Sequence, residues 1–336
     1  MTFRKYSSLV CGVLALFFFR ELKGQDTFSI AAADSTTREV GSAGASCVDL
    51  FAAGFSDPSF LGDLLPDTGA INTQAFYLPQ NQNNARARMR AGDTPTEIIN
   101  WLAKHDAGGD PTVRQYGVAG FSGDEALSAG YTGSSCIDYK NHITGTINGI
   151  SYSIQGNILL GQEILDSMEY NFIHATGDLS CRLMAALQGA RVTGADTRCT
   201  PDGTSSLFAF LKVAQPSDPY GQPSLKLGVR THDNSRIEPI DSLQVLFDAV
   251  HSCTTTGLEN IDEQKLHLYP NPASDELLVN TEYPLTGYAF EVFDTAGRIN
   301  IEGIFSSHRS SIDISKLGPG VYYIRIGSFK GSFVKN

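Results

Sequence analysis

Runs of β-forming residues open the chain after residue 26. Thr27 to Ala33 and Glu39 to Ser46, joined by DSTTR, predict a hairpin of small residues suited to close packing. Residues 57–91 carry no clear apolar rhythm; their tract QNQNNARARMR reads as an exposed loop, with Arg86, Arg88 and Arg90 as a solvated charge run. Helical signals follow. Thr94 and Glu97 form a T-x-x-E capping box with Pro95 at the first helical position, and Ile98 and Leu102 supply the apolar face. Arg114 to Phe121 and Glu125 to Tyr131 predict a second hairpin around SGD, and Gly149 to Ile154 a further strand. Apolar residues return every three or four positions over 162–175 and again over 179–192, the second stretch behind an Asp178 cap. Ser205 to Val213 and Ser224 to Arg230 read as strands, and Ile240 to His251 as a last amphipathic helix. Strands and helices are segregated, which predicts an α+β layered fold and not a doubly wound parallel sheet. No G-x-G-x-x-G or Walker loop supports a nucleotide cofactor. After a polar linker at 253–264, residues 265–336 read as short, evenly spaced strands: LHLYP, ELLVN, FEVFD, SSIDIS, VYYIRI and SFVK. That spacing predicts a small all-β sandwich.

The first 24 residues change the picture of where the chain works. Arg4 and Lys5 precede the apolar run LVCGVLALFFF, which is shorter than the roughly 20 residues a bilayer span needs. This reads as a signal peptide cleaved after Gly24 or Gln25, leaving no membrane span. Its basic residues mask the acidity of the rest: the whole chain is −11 at pH 7, while the part from Lys265 carries seven basic and seven acidic residues. The negative excess therefore lies between the leader and the linker, which argues against nucleic acid or an anionic membrane as partner.

Five cysteines follow the leader, so at least one stays outside any internal disulfide. Cys181 in a predicted helix and Cys199 in the connection after it are the preferred pair, with Cys47–Cys136 as the competing choice. No cysteine or histidine spacing suits a metal, and no cofactor is expected. Nor does any G-x-S-x-G or supported histidine indicate a Ser/His/Asp triad.

The C-terminal strands carry LYPNPASDELLV, VFDTAGR and IDISKLGPGVYYIRI, ending in FVKN. These resemble the type A sorting domain of the type IX secretion system, with Pro270, Asn271, Pro272, Gly297 and Gly320 at its turn positions. The resemblance implies export through the type IX machinery to the medium or cell surface.

The preceding segment opens TFSIAAA and continues with GSAGAS at 41–46, TQA at 73–75, RQYGV at 114–118, TGSSCID at 132–138, QGNILLG at 155–161 and GADTR at 194–198. It resembles an uncharacterised family placed among the N-terminal nucleophile (Ntn) hydrolases. That implies a four-layer αββα sandwich over residues 25–252 and amide hydrolysis by a residue at a new N-terminus. Its hydroxyl attacks, and its own α-amine, with a pKa of about 8, serves as base. Thr27 is then the candidate nucleophile, although a cut after Gly24 or Gln25 leaves Asp26 ahead of it. Asn157 is the candidate oxyanion donor. Gln155 lies two residues away on the same face of an extended segment. Asp196 and Arg198, sharing a face if extended, form a candidate clamp for an amino-acid-like ligand; Gln74 is a further binding candidate. A small amide or peptide is the expected substrate, and relatives bearing a peptidoglycan-binding module point to cell-wall peptides. The alternative is a non-catalytic surface protein that keeps the fold as a binding platform.

Overall fold

The computed structural model describes residues 27–253 and 267–336, apart from 281–288, 295–296, 306–310 and 327–328. The leader, its cleavage point, Asp26 and all but Cys253 of the expected linker lie outside the described residues. Contacts divide the chain into two compact units, Met1–Thr254 and Thr255–Asn336.

The first unit is built on two antiparallel sheets. β1 (Thr27–Asp34) and β2 (Val40–Ser46) form the expected small-residue hairpin. They occupy the middle of a six-stranded sheet completed by β7 (Asn141–Ile147), β8 (Ile150–Gly156), β9 (Phe208–Ala214) and β10 (Leu225–Arg230), in the order β10-β9-β2-β1-β8-β7. The second sheet has four strands in chain order: β3 (Gly62–Leu65), β4 (Gly69–Gln74), β5 (Gln115–Ser122) and β6 (Glu125–Thr132). Apart from the short α1 (Leu50–Ala53), the helices cover the outer faces. α4 (Gln162–His174), α5 (Leu179–Gly189) and α6 (Pro239–Val250) pack on the six-stranded sheet; α2 (Pro79–Arg90) and α3 (Pro95–Lys104) pack on the other. The inner faces of the sheets meet each other.

Strand alternation explains how one sheet serves two layers. Phe28, Ile30 and Ala32 of β1 join Leu165, Met168, Phe172 and Leu183 in the largest core, under the helices. Each such aliphatic or aromatic side chain contributes about 1.5–3 kcal/mol by leaving water. The odd residues Ala31 and Ala33 face the opposite sheet with Ala70, Ala119 and Ala126. A third core, with Ile71, Met89, Ile98, Leu102 and Val118, lies under α2 and α3.

Several expectations need correction. The segment 57–91 is not irregular: it holds β3, β4 and α2. α2 escaped the reading of periodicity because half its inward face is polar. Asn81 and Gln82 are buried beside Ala85 and Met89, and Gln82 donates to the Phe60 and Leu61 carbonyls. Nor are its arginines a free charge run. Arg86 pairs with Asp63 at 2.6 Å, Arg88 pairs with Asp93, and Arg90 lies over the Tyr220 ring. The half-exposed edge strand β7 had no expected counterpart. The capping box of α3 and the Asp178 cap of α5 are present.

Neither expected disulfide forms. Cys47 joins Cys199, and Cys181 joins Cys253, with Cα separations of 5.6 and 5.7 Å. Cys181 sits in the first turn of α5, which carries the chain about 12 Å away before it returns to Cys199. Cys199 then lies beside the end of β2, where Cys47 follows Ser46. Cys136 stays outside both bridges as a buried thiol.

The second unit is all β. β11 (His267–Tyr269), β12 (Glu276–Asn280) and β15 (Ser311–Asp313) form one sheet. β13 (Ala289–Asp294), β14 (Ile299–Ile304), β16 (Gly320–Ile326) and β17 (Phe329–Lys335) form another. Leu277, Val292, Ile312, Ile324 and Phe333 form its core. Gly297 sits at φ +78° in the β13–β14 turn, where a side chain is disfavoured. The Asn271 side chain accepts from the Val334 amide, tying the PNP turn to β17.

Candidate functional site

Strand registers bring most of the sequence-predicted residues to one end of the two sheets. Thr27 begins β1 and pairs with Ser46 at the end of β2. On the other side Phe28 pairs with Gly156, the last residue of β8, so the same register places Thr27 level with Asn157. Gln74 ends β4, opposite Gln115 at the start of β5, and Gln115 pairs with Thr132 at the end of β6.

Between the sheets at this end lies a buried polar network. Ser29 Oγ donates to Gln74 Oε1 at 2.5 Å, and Gln155 Nε2 donates to Ser29 Oγ at 2.6 Å. Ser153 Oγ donates to Gln155 Oε1 at 2.9 Å. Gln74 Nε2 donates to Gln115 Oε1 at 2.7 Å, and Asn157 Nδ2 donates to the same oxygen at 3.0 Å. Gln115 Nε2 reaches the Gly156 carbonyl at 2.8 Å, the Asn141 carbonyl at 3.1 Å and Thr132 Oγ1 at 2.9 Å. Thr132 Oγ1 also meets His142 Nδ1 at 2.9 Å, and burial pushes the His142 imidazole down, toward its neutral form. Ser29, Gln74, Gln115, Gln155 and Asn157 are all essentially sealed from solvent. Such groups are tolerated inside only because they satisfy one another. Gly117 is part of this fit: a Cβ there would come within 1.8 Å of Gln155 Oε1.

Two features depart from full satisfaction. Asn157 Oδ1 is buried and has no hydrogen-bond partner among the described residues. The residues just after Gln74 and Asn157 are left-handed: Ala75 at φ +49° and Ile158 at φ +53°. For a β-branched residue such as Ile158 this is a strained conformation. It turns the chain sharply out of the strand immediately beyond Asn157.

Asp196 and Arg198 lie beside the same end, in a 3₁₀ turn and not in an extended segment. Asp196 is fully buried and accepts from the Cys47 amide at 2.9 Å. Arg198 grips it with two nitrogens, Nε at 3.0 Å and Nη2 at 2.7 Å, while Nη2 lies 3.5 Å from Ser46 Oγ. The pair thus ties the turn to the end of β2, helped by the Cys47–Cys199 bridge. Beneath β5, Arg114 pairs with Asp106 at 2.8 Å. Burial alone would raise the Asp106 carboxyl, but hydrogen bonds from Arg114 and Asn81 outweigh it and hold it at about 2.

Ser29, Gln115 and Thr132 were not singled out from the sequence. A signal was present: a glutamine heading the otherwise apolar strand QYGVAGF is a polar residue at a core position. Two groupings of metal-type ligands occur among the described residues, Cys47–Cys199–Asp202 and Asp178–Cys181–His251. Their cysteines are in disulfides and offer no thiolate.

The fold and this strand-end site define a two-unit protein whose first unit is a pair of helix-covered antiparallel sheets. The chain belongs to the DUF1028 family, a family of unknown function, whose model matches residues 27–239. Residues 267–336 match the secretion system C-terminal sorting domain. The protein is therefore exported by the type IX machinery to the cell surface or the extracellular space. The crystal structure of protein SPO2555 from Silicibacter pomeroyi, assigned to DUF1028, is similar in fold. Identity is 22%, covering 68% of this chain and 90% of that one, with a TM-score of 0.50. No curated protein matches the chain. Among the described residues, no helix is long and apolar enough to cross a membrane.

Proposed function

We propose that this is a secreted amide hydrolase of the N-terminal nucleophile type, acting through Thr27 on a small amide or peptide, cell-wall peptides being one candidate. The observation that carries this reading is the convergence at one sheet end. Thr27 is level with Asn157, next to the Asp196–Arg198 turn, over a buried network that includes Gln74 and Gln155. The layer order, helices outside two facing sheets, agrees with the αββα sandwich such enzymes use.

In this reading a cut before Thr27 frees its α-amine. The hydroxyl attacks the substrate carbonyl while the amine takes the hydroxyl proton, and the same proton then passes to the leaving amine. Water repeats the cycle on the resulting ester. The Asn157 Nδ2 group has two protons; one is held by Gln115 and the other is the candidate oxyanion donor. Gln74 and Gln155, sealed between the sheets, hold the floor of the site, and Arg198, held in place by the buried Asp196, forms its charged wall.

N-terminal sequencing of the mature secreted protein is the first test. A Thr27 terminus, together with amine release from amide substrates, supports the enzyme. A stable Gln25 or Asp26 terminus and no amine release favour a binding platform instead.

A further inference from the structure

The orientation of the Asn157 side-chain amide is settled by its neighbours. The carbonyls of Gly156 and Asn141 can only accept, so the end of Gln115 facing them, at 2.8 and 3.1 Å, must be its NH2 group. Gln115 Oε1 then faces the other way, where Gln74 and Asn157 must both donate to it, at 2.7 and 3.0 Å. Flipping Asn157 would set two oxygens against each other. Its Oδ1 is therefore a buried acceptor with no donor among the described residues. A buried carbonyl-type oxygen left this way marks a place for a donor.

The backbone indicates which donor. Asn157 is level with Thr27 in the β1–β8 register, and Ile158 at φ +53° ends the extended run just beyond it. While the chain is uncut, the Thr27 nitrogen is a peptide amide with a single N–H. Cleavage turns it into an amine or ammonium with two or three.

We propose that Asn157 Oδ1 anchors the α-amine of Thr27 once that residue heads the chain, fixing the amine as a base. The inference rests on the N-terminal nucleophile reading and gives Asn157 a second role: donor through Nδ2, acceptor through Oδ1. It also makes Gln115 a positioning residue, since Gln115 decides which way the Asn157 amide faces.

The test uses the mature chain from Thr27 to Asn336 with its threonines labelled with ¹⁵N, and NMR titration of the terminal amine. Asn157→Leu, which removes the acceptor, lowers the α-amine pKa. An amine that titrates alike in the two proteins would overturn the anchor. A second measurement needs no substitution. The Asn157 side-chain amide resonances follow the α-amine titration in the chain starting at Thr27 and not in one starting at Asp26; pH-invariant resonances in both also overturn the anchor. Activity separates the two ideas. Coupled titration without hydrolysis keeps the anchor and discards the nucleophile; hydrolysis without coupling does the reverse.

Discussion

The layer between the two sheets has two halves made by the same strands. Toward one end β1, β4 and β5 present Ala31, Ala33, Ala70 and Ala119, which join Leu64 and Ala126 in a small apolar core. Toward the other, the same three strands present Ser29, Gln74 and Gln115, and β8 adds Gln155. Alanine side chains let the sheets approach closely and need no partner; the polar groups among them are small, as where Ser151 Oγ donates to the Ala126 carbonyl. The glutamines need every partner in place, since each lost hydrogen bond leaves a buried group exposed to about 1–3 kcal/mol of uncompensated desolvation. An all-alanine layer would meet the packing requirement at lower risk. The polar half therefore marks where stability alone did not choose the residues, and the left-handed Ala75 and Ile158 lie at that half.

The sharpest contrast is functional. In a chain starting at Thr27, Thr27→Ala lowers amide hydrolysis by at least about 10³-fold while the melting temperature barely moves, because only a terminal strand residue changes. Equal amine release from both proteins would leave the polar half without a catalytic role.

Next in size is the network itself. Gln115→Ala removes the acceptor of Gln74 and Asn157 and the donor to the Gly156 and Asn141 carbonyls, the first of them buried. We expect a loss of about 4 kcal/mol in urea unfolding. A loss below about 1 kcal/mol would mean that the two halves do not differ as described.

Acid probes the support under Gln115. Asp106, held at about 2 by Arg114 and Asn81 against an unperturbed value of 3.8, binds protons more weakly when folded. Its contribution, about 2 kcal/mol, is present above pH 3.8 and disappears as pH falls through 2. Hydrogen exchange at low pH should loosen Gln115 and Tyr116 before Ala31 and Ala33, and Asp106→Asn should flatten this part of the pH dependence. Simultaneous loosening of both halves would contradict the picture.

The smallest effect belongs to the alanine half. Ala70 faces Leu64 and Ala119 across its neighbouring strands, so the hydroxyl of Ala70→Ser finds no side-chain partner there. The expected cost is about 1 kcal/mol in the same unfolding experiment. A neutral result would mean that the added hydroxyl finds a backbone acceptor, as Ser151 Oγ does at the Ala126 carbonyl.

Much of the fold was legible because it depends on local chemistry. The β1–β2 hairpin, the capping box at Thr94, the Asp178 cap, the apolar faces of α4, α5 and α6, and the sorting motifs depend on residues a few positions apart. α2 was not legible, because Asn81 and Gln82 face inward for partners at Tyr116, Leu61 and Thr73 that only folding supplies. The cysteine pairs failed for a related reason. Spacing along the chain made Cys181 and Cys199 neighbours, while the direction of α5 separates them and brings Cys199 to Cys47, 152 positions away.

The same division runs through the site. By itself the sequence determined the candidate residue types, Thr27 at the head of a strand, Asn157 after Q-G, and the Asp196–Arg198 pair, and it determined the export address. Tertiary structure alone decided that these segments meet at one sheet end. It also decided that Gln115 joins them, that Gln74 and Gln155 are sealed between sheets, and that the Asn157 side-chain oxygen has no donor among the described residues. Hydrogen-bond direction is the reason: which end of an amide donates is set by carbonyls at Asn141 and Gly156, and strand pairing, not sequence proximity, puts those beside Gln115.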